Sequence, residues 1–166
     1  MKIIRMVVLG CGLALAGSAA HPASREIYPD PALAKPEIAA ALKEAAQTHK
    51  RVLLEFGGNW CGDCIVLDMY LHSARNAPLL GASFVVVHVN VGELDENLDI
   101  AEQYGVPVKR GVPEVAVLSE AGKLLYSTRD KALELAVQRG DTGAVTDFLV
   151  RWKPGTKGCS VVAVNC

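Results

Sequence analysis

Cys61 and Cys64 stand two residues apart, just beyond a short apolar run at residues 52–56 (VLLEF) and a Gly57-Gly58-Asn59 break. The run lacks polar alternation, as a strand covered on both faces does. From residue 61 onward CGDCIVLDMYLHS has helical character. Strand, glycine break, then a helix led by two cysteines is the most constraining order in the chain. It puts both thiols at a strand-to-helix junction and calls for helices on either side of a sheet.

The remaining elements fit that demand. Residues 36–50 (PEIAAALKEAAQTHK) read as a helix, with Pro36 at a first helical position and Ile38, Leu42 and Ala45 on one face. Residues 84–91 (FVVVHVNV) form the strongest strand pattern, nearly all β-branched or aromatic. Residues 95–104 read as a helix stopped by Gly105, and residues 106–112, with Pro107 and Gly111, as a loop. Residues 114–118 and 123–127 read as two strands joined by a turn at Glu120-Ala121-Gly122. Residues 130–139 and 142–152 are helix candidates separated by Gly140-Asp141, and Pro154-Gly155 ends the second. The expected fold is α/β, a mixed sheet flanked by helices.

The first twenty residues do not suit that domain. Lys2 and Arg5 precede an apolar stretch, residues 6–16, too short to span a bilayer, and Gly17-Ser18-Ala19-Ala20 supplies small residues at a cleavage site. We read residues 1–20 as a signal peptide cleaved near Ala20, with a buried N-terminal helix and lipid attachment at Cys11 as the alternatives. The domain plan is then an irregular lead-in at 21–35, one domain at 36–153 and a tail at 154–166. Cleavage removes two cations and no acid, taking the formal charge from −1 to about −3. That charge offers nothing to a polyanion, so nucleic acid is not an expected partner.

Four cysteines survive cleavage, an even number that suits disulfides in an oxidising compartment. At a helix N-terminus, unpaired amides and the helix dipole favour a Cys61 thiolate, the form that attacks a disulfide. Cys64, one turn on, can resolve the mixed disulfide. Spacing alone also permits half a zinc site or a structural staple. Zinc would need two further ligands, and His21, His49 and His72 have no recognisable ligand spacing.

Glu55-Phe56 followed by Trp60-Cys61-Gly62-Asp63-Cys64 resembles the active-site strand and helix of the thioredoxins, whose motif is Trp-Cys-Gly-x-Cys. Gly111-Val112-Pro113 resembles their Gly-Ile-Pro, Tyr104-Gly105 their upstream Tyr-Gly, and Glu120-Ala121-Gly122-Lys123 their hairpin turn. The resemblance covers roughly residues 37–152. It implies a thioredoxin fold, a redox-active Cys61–Cys64 pair and a cis peptide before Pro113 that faces the disulfide. It also implies a role for Glu55, which stands where the family keeps a buried proton-relaying aspartate. Trp60 is expected to cover one side of the disulfide, and Val112 to pair with an extended client strand. A solvated Glu55 and a Trp60 that merely packs are the plainer readings. His88 lies near where the family carries a lysine, and either pairs with Glu55 or is simply hydrogen-bonded. Lys109 and Arg110 lengthen the loop before Pro113 as a small basic patch or a solvated face.

Two tuning positions follow Cys61: Gly62, which matches the motif, and Asp63, which stands where thioredoxin has proline. At an effective dielectric of about 20, a carboxylate some 7 Å from the Cys61 sulfur opposes ionisation by about 2 kcal/mol, less with solvent screening. The helix terminus favours it by about 0.3–1 kcal/mol. The Cys61 pKa is therefore not expected to be strongly depressed, and the pair is expected to be reducing. Cys159 and Cys166 lie beyond the resemblance. They are expected to form a structural disulfide worth about 2–3 kcal/mol, with a second redox pair as the alternative.

The expectation is an exported, periplasmic, monomeric thiol–disulfide oxidoreductase that reduces client proteins and needs no cofactor or metal. A membrane electron-donor protein would recharge it. Net oxidase or isomerase action, a Cu(I) carrier using the same two cysteines, and a binding module with an inert disulfide are the other readings.

Overall fold

Residues 26–128 and 131–156 are described by the structure, a computed structural model. Its centre is β1 (Arg51–Gly57), buried from Val52 onward, which is why that run is apolar without alternation. β1 pairs in parallel with β2 (Phe84–Asn90) and antiparallel with β3 (Glu114–Leu118). β4 (Leu124–Ser127) adds antiparallel to β3, giving the order β2-β1-β3-β4. The mixed sheet expected from the sequence is present.

Each face of the sheet has its own core. Leu54, Phe56, Val87, Val89, Ala116 and Leu118 pack against α1 (Ala34–Thr48) and α4 (Leu98–Gln103). Leu53, Val115 and Val117 pack against α2 (Gly62–Leu71), α3 (Ala77–Ser83), α5 (Ala132–Gln138) and α6 (Thr142–Trp152). Glu55 shares the face of Leu53 by strand alternation, so it points under α2 rather than toward solvent.

Several boundaries differ from the sequence reading. α1 begins at Ala34, two residues before Pro36, because a 3-10 turn at Pro31–Leu33 feeds directly into it. Asp30 caps that turn, its Oδ1 accepting from the Ala32 amide at 2.8 Å. α2 stops at Leu71 with His72 as its C-cap. α4 is shorter than residues 95–104 because Leu94 and Asn97 have positive φ, and Asn97 Nδ2 donates to Asn90 O at 2.8 Å instead of joining a helix. The expected loop contains a 3-10 turn at Val108–Arg110. α3 had no expectation attached to it: APLLGAS is too short and too mixed to show a period. No helix among the described residues is long and apolar enough to cross a membrane. The leader with Ala20 and Cys11, and the Cys159–Cys166 tail, lie outside the described residues.

The lead-in is ordered where it meets the domain. Asn59 Oδ1 accepts from the amides of Ile27 (2.9 Å) and Tyr28 (3.0 Å), and its Nδ2 donates to Tyr28 O at 2.8 Å. Tyr28 is thereby buried at 1% exposure against Cys61 and Cys64.

Candidate active site

β1 ends at Gly57, and the next turn delivers Cys61 as the N-cap of α2. A β-carbon at Gly57 would lie 2.5 Å from Tyr28 Oη and 2.7 Å from Cys64 Sγ, so only glycine lets these two groups close over the strand end. Cys61 and Cys64 form a disulfide with a Cα–Cα distance of 5.3 Å. Cys61 Sγ also accepts from the Cys64 amide at 3.2 Å, placing this sulfur at the positive end of the helix. Cys61 is 6% exposed and Cys64 is 0% exposed. An incoming thiolate can therefore reach Cys61, while Cys64 is the sealed partner.

The Val112–Pro113 peptide is cis, as the resemblance implied. It brings the Val112 carbonyl within 3.7 Å of Cys61 Sγ. Gly111 supplies a φ of 129° just before it, a backbone conformation open to glycine. Trp60 is 50% exposed, which does not fit plain core packing. Its ring is fixed by an Nε1–H bond to Gly92 O at 2.6 Å. Gly62 has open space around its missing side chain, so nothing there forces a glycine. Asp63 lies in the first turn of α2 and accepts from Gln138 Nε2 at 3.2 Å. Lys109 and Arg110 are exposed, the solvated-face reading.

Beneath the disulfide lies a buried polar cluster. Glu55 is 0% exposed, so the solvated reading of this residue is replaced by the buried one. Tyr28 Oη donates to Glu55 Oε1 at 2.9 Å. On the other side His88 Nε2 stands 3.4 Å from Glu55 Oε2 and 3.2 Å from Asp68 Oδ1. Asp68, one turn beyond Cys64 on α2, also lies 3.0 Å from His72 Nδ1. Burial alone would lower the His88 pKa, but hydrogen bonds and charge from Asp68 and Glu55 outweigh it and raise the value to about 9. Burial, then the Glu55 charge and hydrogen bond, push the Tyr28 phenol well above its usual range, so it keeps its proton.

Glu55, Asp68 and His88 offer three potential ligand atoms within 4.8 Å of one another, the arrangement among the described residues that could hold a cation. Here the cation between the two carboxylates is the His88 imidazolium itself. A second buried acid, Glu114, follows Pro113 directly. It is 1% exposed with no hydrogen bond of good geometry to either oxygen. Burial and the nearby Glu134 raise its pKa to about 7, against the pull of Lys131 and Arg110.

Cys61, Cys64 and Val112 stand together beside the cis peptide to Pro113, Glu55 joins them through Tyr28, and Trp60 reaches Gly92, six residues that sequence reasoning had grouped around one centre. That reasoning missed Tyr28, Asp68, His72 and Glu114. The available signal for Tyr28 was an Ile27-Tyr28 pair inside an otherwise Pro- and Ala-rich lead-in. For Asp68 it was an acid one helical turn after Cys64 on a mostly apolar helix.

Residues 33–119 match the family described as thioredoxin-like. The chain belongs to the thioredoxin-like family. A disulphide isomerase structure from Xylella fastidiosa Temecula1 shares 35% identity at a TM-score of 0.70, covering 75% of this chain and 95% of that one. A thioredoxin H-type from Oryza sativa subsp. indica is 29% identical over 97 residues, 58% of this chain and 74% of that protein. A thioredoxin from Chlorobaculum thiosulfatiphilum is 29% identical over 82 residues, 49% of this chain and 68% of that protein. With the disulfide at the head of α2, this thioredoxin-like chain is a thiol–disulfide oxidoreductase.

Proposed function

We propose that the protein is an exported protein-disulfide reductase that works through the Cys61–Cys64 pair. The observation that carries this reading is the unequal access to the two sulfurs: Cys61 is reachable beside the Val112 carbonyl, and Cys64 is sealed against Tyr28. A client's extended backbone would pair along Val112 and present its disulfide to the Cys61 thiolate. The mixed disulfide forms on Cys61; Cys64 then attacks Cys61 Sγ, and the client leaves as a dithiol. A membrane donor would restore the dithiol. Export rests on the leader pattern in residues 1–20.

The reducing direction follows from charge. Asp63 stands in the first turn of α2, and Glu55 and Asp68 lie below the disulfide, against one compensating cation at His88. Negative surroundings disfavour a Cys61 thiolate, withhold stabilisation from the reduced form, and so lower the potential. The Xylella relative is titled a disulphide isomerase, which makes isomerisation the competing net activity.

The test is equilibrium of the full mature chain with glutathione buffers, read by thiol alkylation. A potential well below about −200 mV supports the reductase. A value near −120 mV would make it an oxidase, and a pair that never exchanges would be inert. Sequencing the N-terminus of the secreted or periplasmic material checks export, with a start just after Ala20 expected.

A further inference from the structure

Two separate parts of the chain meet at this site. Cys61 stands at the head of α2, and Val112 stands in the loop before β3, 51 residues away in sequence. A client paired along Val112 reaches Cys61 only if the spacing and angle between these two parts are fixed. The loop has little stiffness of its own. Gly105 and Gly111 both lie in it at positive φ, and glycine has the most conformational freedom to lose.

The peptide that leads into Val112 is held at both of its polar atoms. The Gly111 N–H donates to Val108 O at 3.1 Å. The carbonyl of the same peptide, on Arg110, accepts from Lys131 Nζ at 3.1 Å. Fixing that plane fixes the entry to Gly111, and so the direction in which Val112 presents its own N–H and C=O. A β-carbon at Gly111 would lie 3.4 Å from Lys131 Nζ, so the ammonium packs directly over this glycine.

Lys131 is anchored in turn. It is the N-cap of α5, and its Nζ lies 2.9 Å from Glu134 Oε2. One turn further on, Gln138 Nε2 donates to Glu134 Oε1 at 3.4 Å and to Asp63 Oδ2 at 3.2 Å. Asp63 belongs to the first turn of α2, which Cys61 caps. Polar contacts therefore run without a gap from Asp63 through Gln138, Glu134 and Lys131 to the Arg110 carbonyl. They join the helix that carries the cysteines to the loop that carries Val112.

We propose that Lys131, Glu134 and Gln138 form a brace along α5 that sets the position of the Val112 backbone relative to Cys61, with Lys131 as the positioning residue. The inference rests on the reading of Val112 as the backbone partner of an extended client. The three side chains act through Val112 and do not touch the client.

Two features suit the brace to positioning rather than to folding. α5 is already docked by Leu133 and Val137, both buried in the core that includes Leu67 of α2. Gln138 is exposed and the Lys131 side chain is 33% exposed, where polar contacts add little to stability. Lys131 also has a φ of 56°, a costly backbone for a residue other than glycine. The side chain carried at that turn is the one that reaches Arg110.

The test uses the full mature chain with dithiothreitol as reductant and two disulfide probes. Insulin has polypeptide on both sides of its disulfides, and bis(hydroxyethyl) disulfide has no backbone to pair. Lys131→Met keeps the apolar stem and removes the ammonium. Its KM for insulin should rise about tenfold with kcat nearly unchanged, the mark of lost binding rather than lost chemistry. Its rate with the small disulfide should stay at the wild-type value. Lys131→Arg keeps a donor for the Arg110 carbonyl and should bring the insulin KM back to within about threefold of wild type. Gln138 is exposed, so Gln138→Ala should stay folded and raise the insulin KM in the same direction by about threefold. Unchanged insulin kinetics in Lys131→Met would overturn the brace and leave thiol exchange intact. An equal loss on both probes, or a loss that Lys131→Arg does not restore, would mark a general structural role and overturn it as well. A wild-type chain that reduces the small disulfide but not insulin has no polypeptide docking for the brace to set, which also overturns it. A chain that reduces neither probe would remove the thiol-exchange reading, and the brace with it.

Discussion

Asn59 and Tyr28 hold each other reciprocally: the Asn59 side chain accepts from the Tyr28 amide at 3.0 Å and donates to the Tyr28 carbonyl at 2.8 Å. Asn59 belongs to the turn that delivers Cys61, and Tyr28 to a segment that composition alone marks as irregular. One amide therefore fastens the lead-in to the active-site turn and sets the phenol over Cys64.

Asn59→Ala removes these two bonds and the one to the Ile27 amide. At about 1 kcal/mol per bond the loss should be about 2–3 kcal/mol. Urea unfolding should show a lower midpoint with little change in slope. A variant as stable as wild type would mean that the lead-in contributes nothing to the fold.

His88 makes stability depend on pH. Its folded pKa, raised to about 9, lies above the ordinary 6.5. A raised histidine contributes its full stabilisation below about pH 6.5 and loses it as pH climbs through 9. The wild type should therefore lose on the order of 2–3 kcal/mol between those limits. His88→Gln should be less stable at pH 6, because it leaves Glu55 and Asp68 without their shared cation, and should show a flatter profile up to pH 9. Thermal melts across that range decide it.

Glu114 acts in a lower window with the same slope. Its carboxyl is raised from 4.5 to about 7, so the folded state holds a proton that the unfolded chain has released. The stabilisation is present below about pH 4.5 and lost as pH rises through 7. Glu114→Gln keeps the shape of the neutral acid and should be more stable than wild type at pH 8, by about 1–3 kcal/mol. The two proteins should converge at pH 4.5. Equal urea midpoints at pH 8 would show that Glu114 is not carrying a buried charge there.

What was legible in the sequence was what local pattern encodes. β1, β2 and β3 announce themselves because buried β-branched and aliphatic runs have few other uses, and α6 because its apolar stripe is framed by Asp141 and Pro154. Cys61, Cys64 and Pro113 were placed by their order along the chain. The start of α4 was misread because Asn97 leaves the helix for contacts with Pro31 and Asn90, which lie far off in sequence or around a turn. The polar cluster was hidden for the same reason. The resemblance offered Glu55 and His88 as a pair, but Asp68 and His72 read singly as a helix acid and an unremarkable histidine. Only the parallel register that sets Glu55 beside His88, with α2 laid across both, makes them one group.

Asp63 is the position where the sequence makes its most specific electrostatic claim. Its carboxylate sits in the first turn of α2, half-buried, and is held toward α5 by Gln138 Nε2 at 3.2 Å. That bond ties the charge to α5, and its partial exposure lets solvent screen it. The penalty on a Cys61 thiolate should thus fall below the about 2 kcal/mol expected at an effective dielectric of 20. Asp63→Asn keeps the shape and a hydrogen-bonding oxygen for Gln138 while deleting the charge. The Cys61 thiolate should then form at lower pH, and the reduced pair should gain about 0.5–1.5 kcal/mol, equivalent to about 10–30 mV in the oxidising direction. Glutathione equilibration of the two proteins side by side measures the difference. A variant no more oxidising than wild type would show that Asp63 does not set the potential, leaving Glu55 and Asp68 as the charges that do.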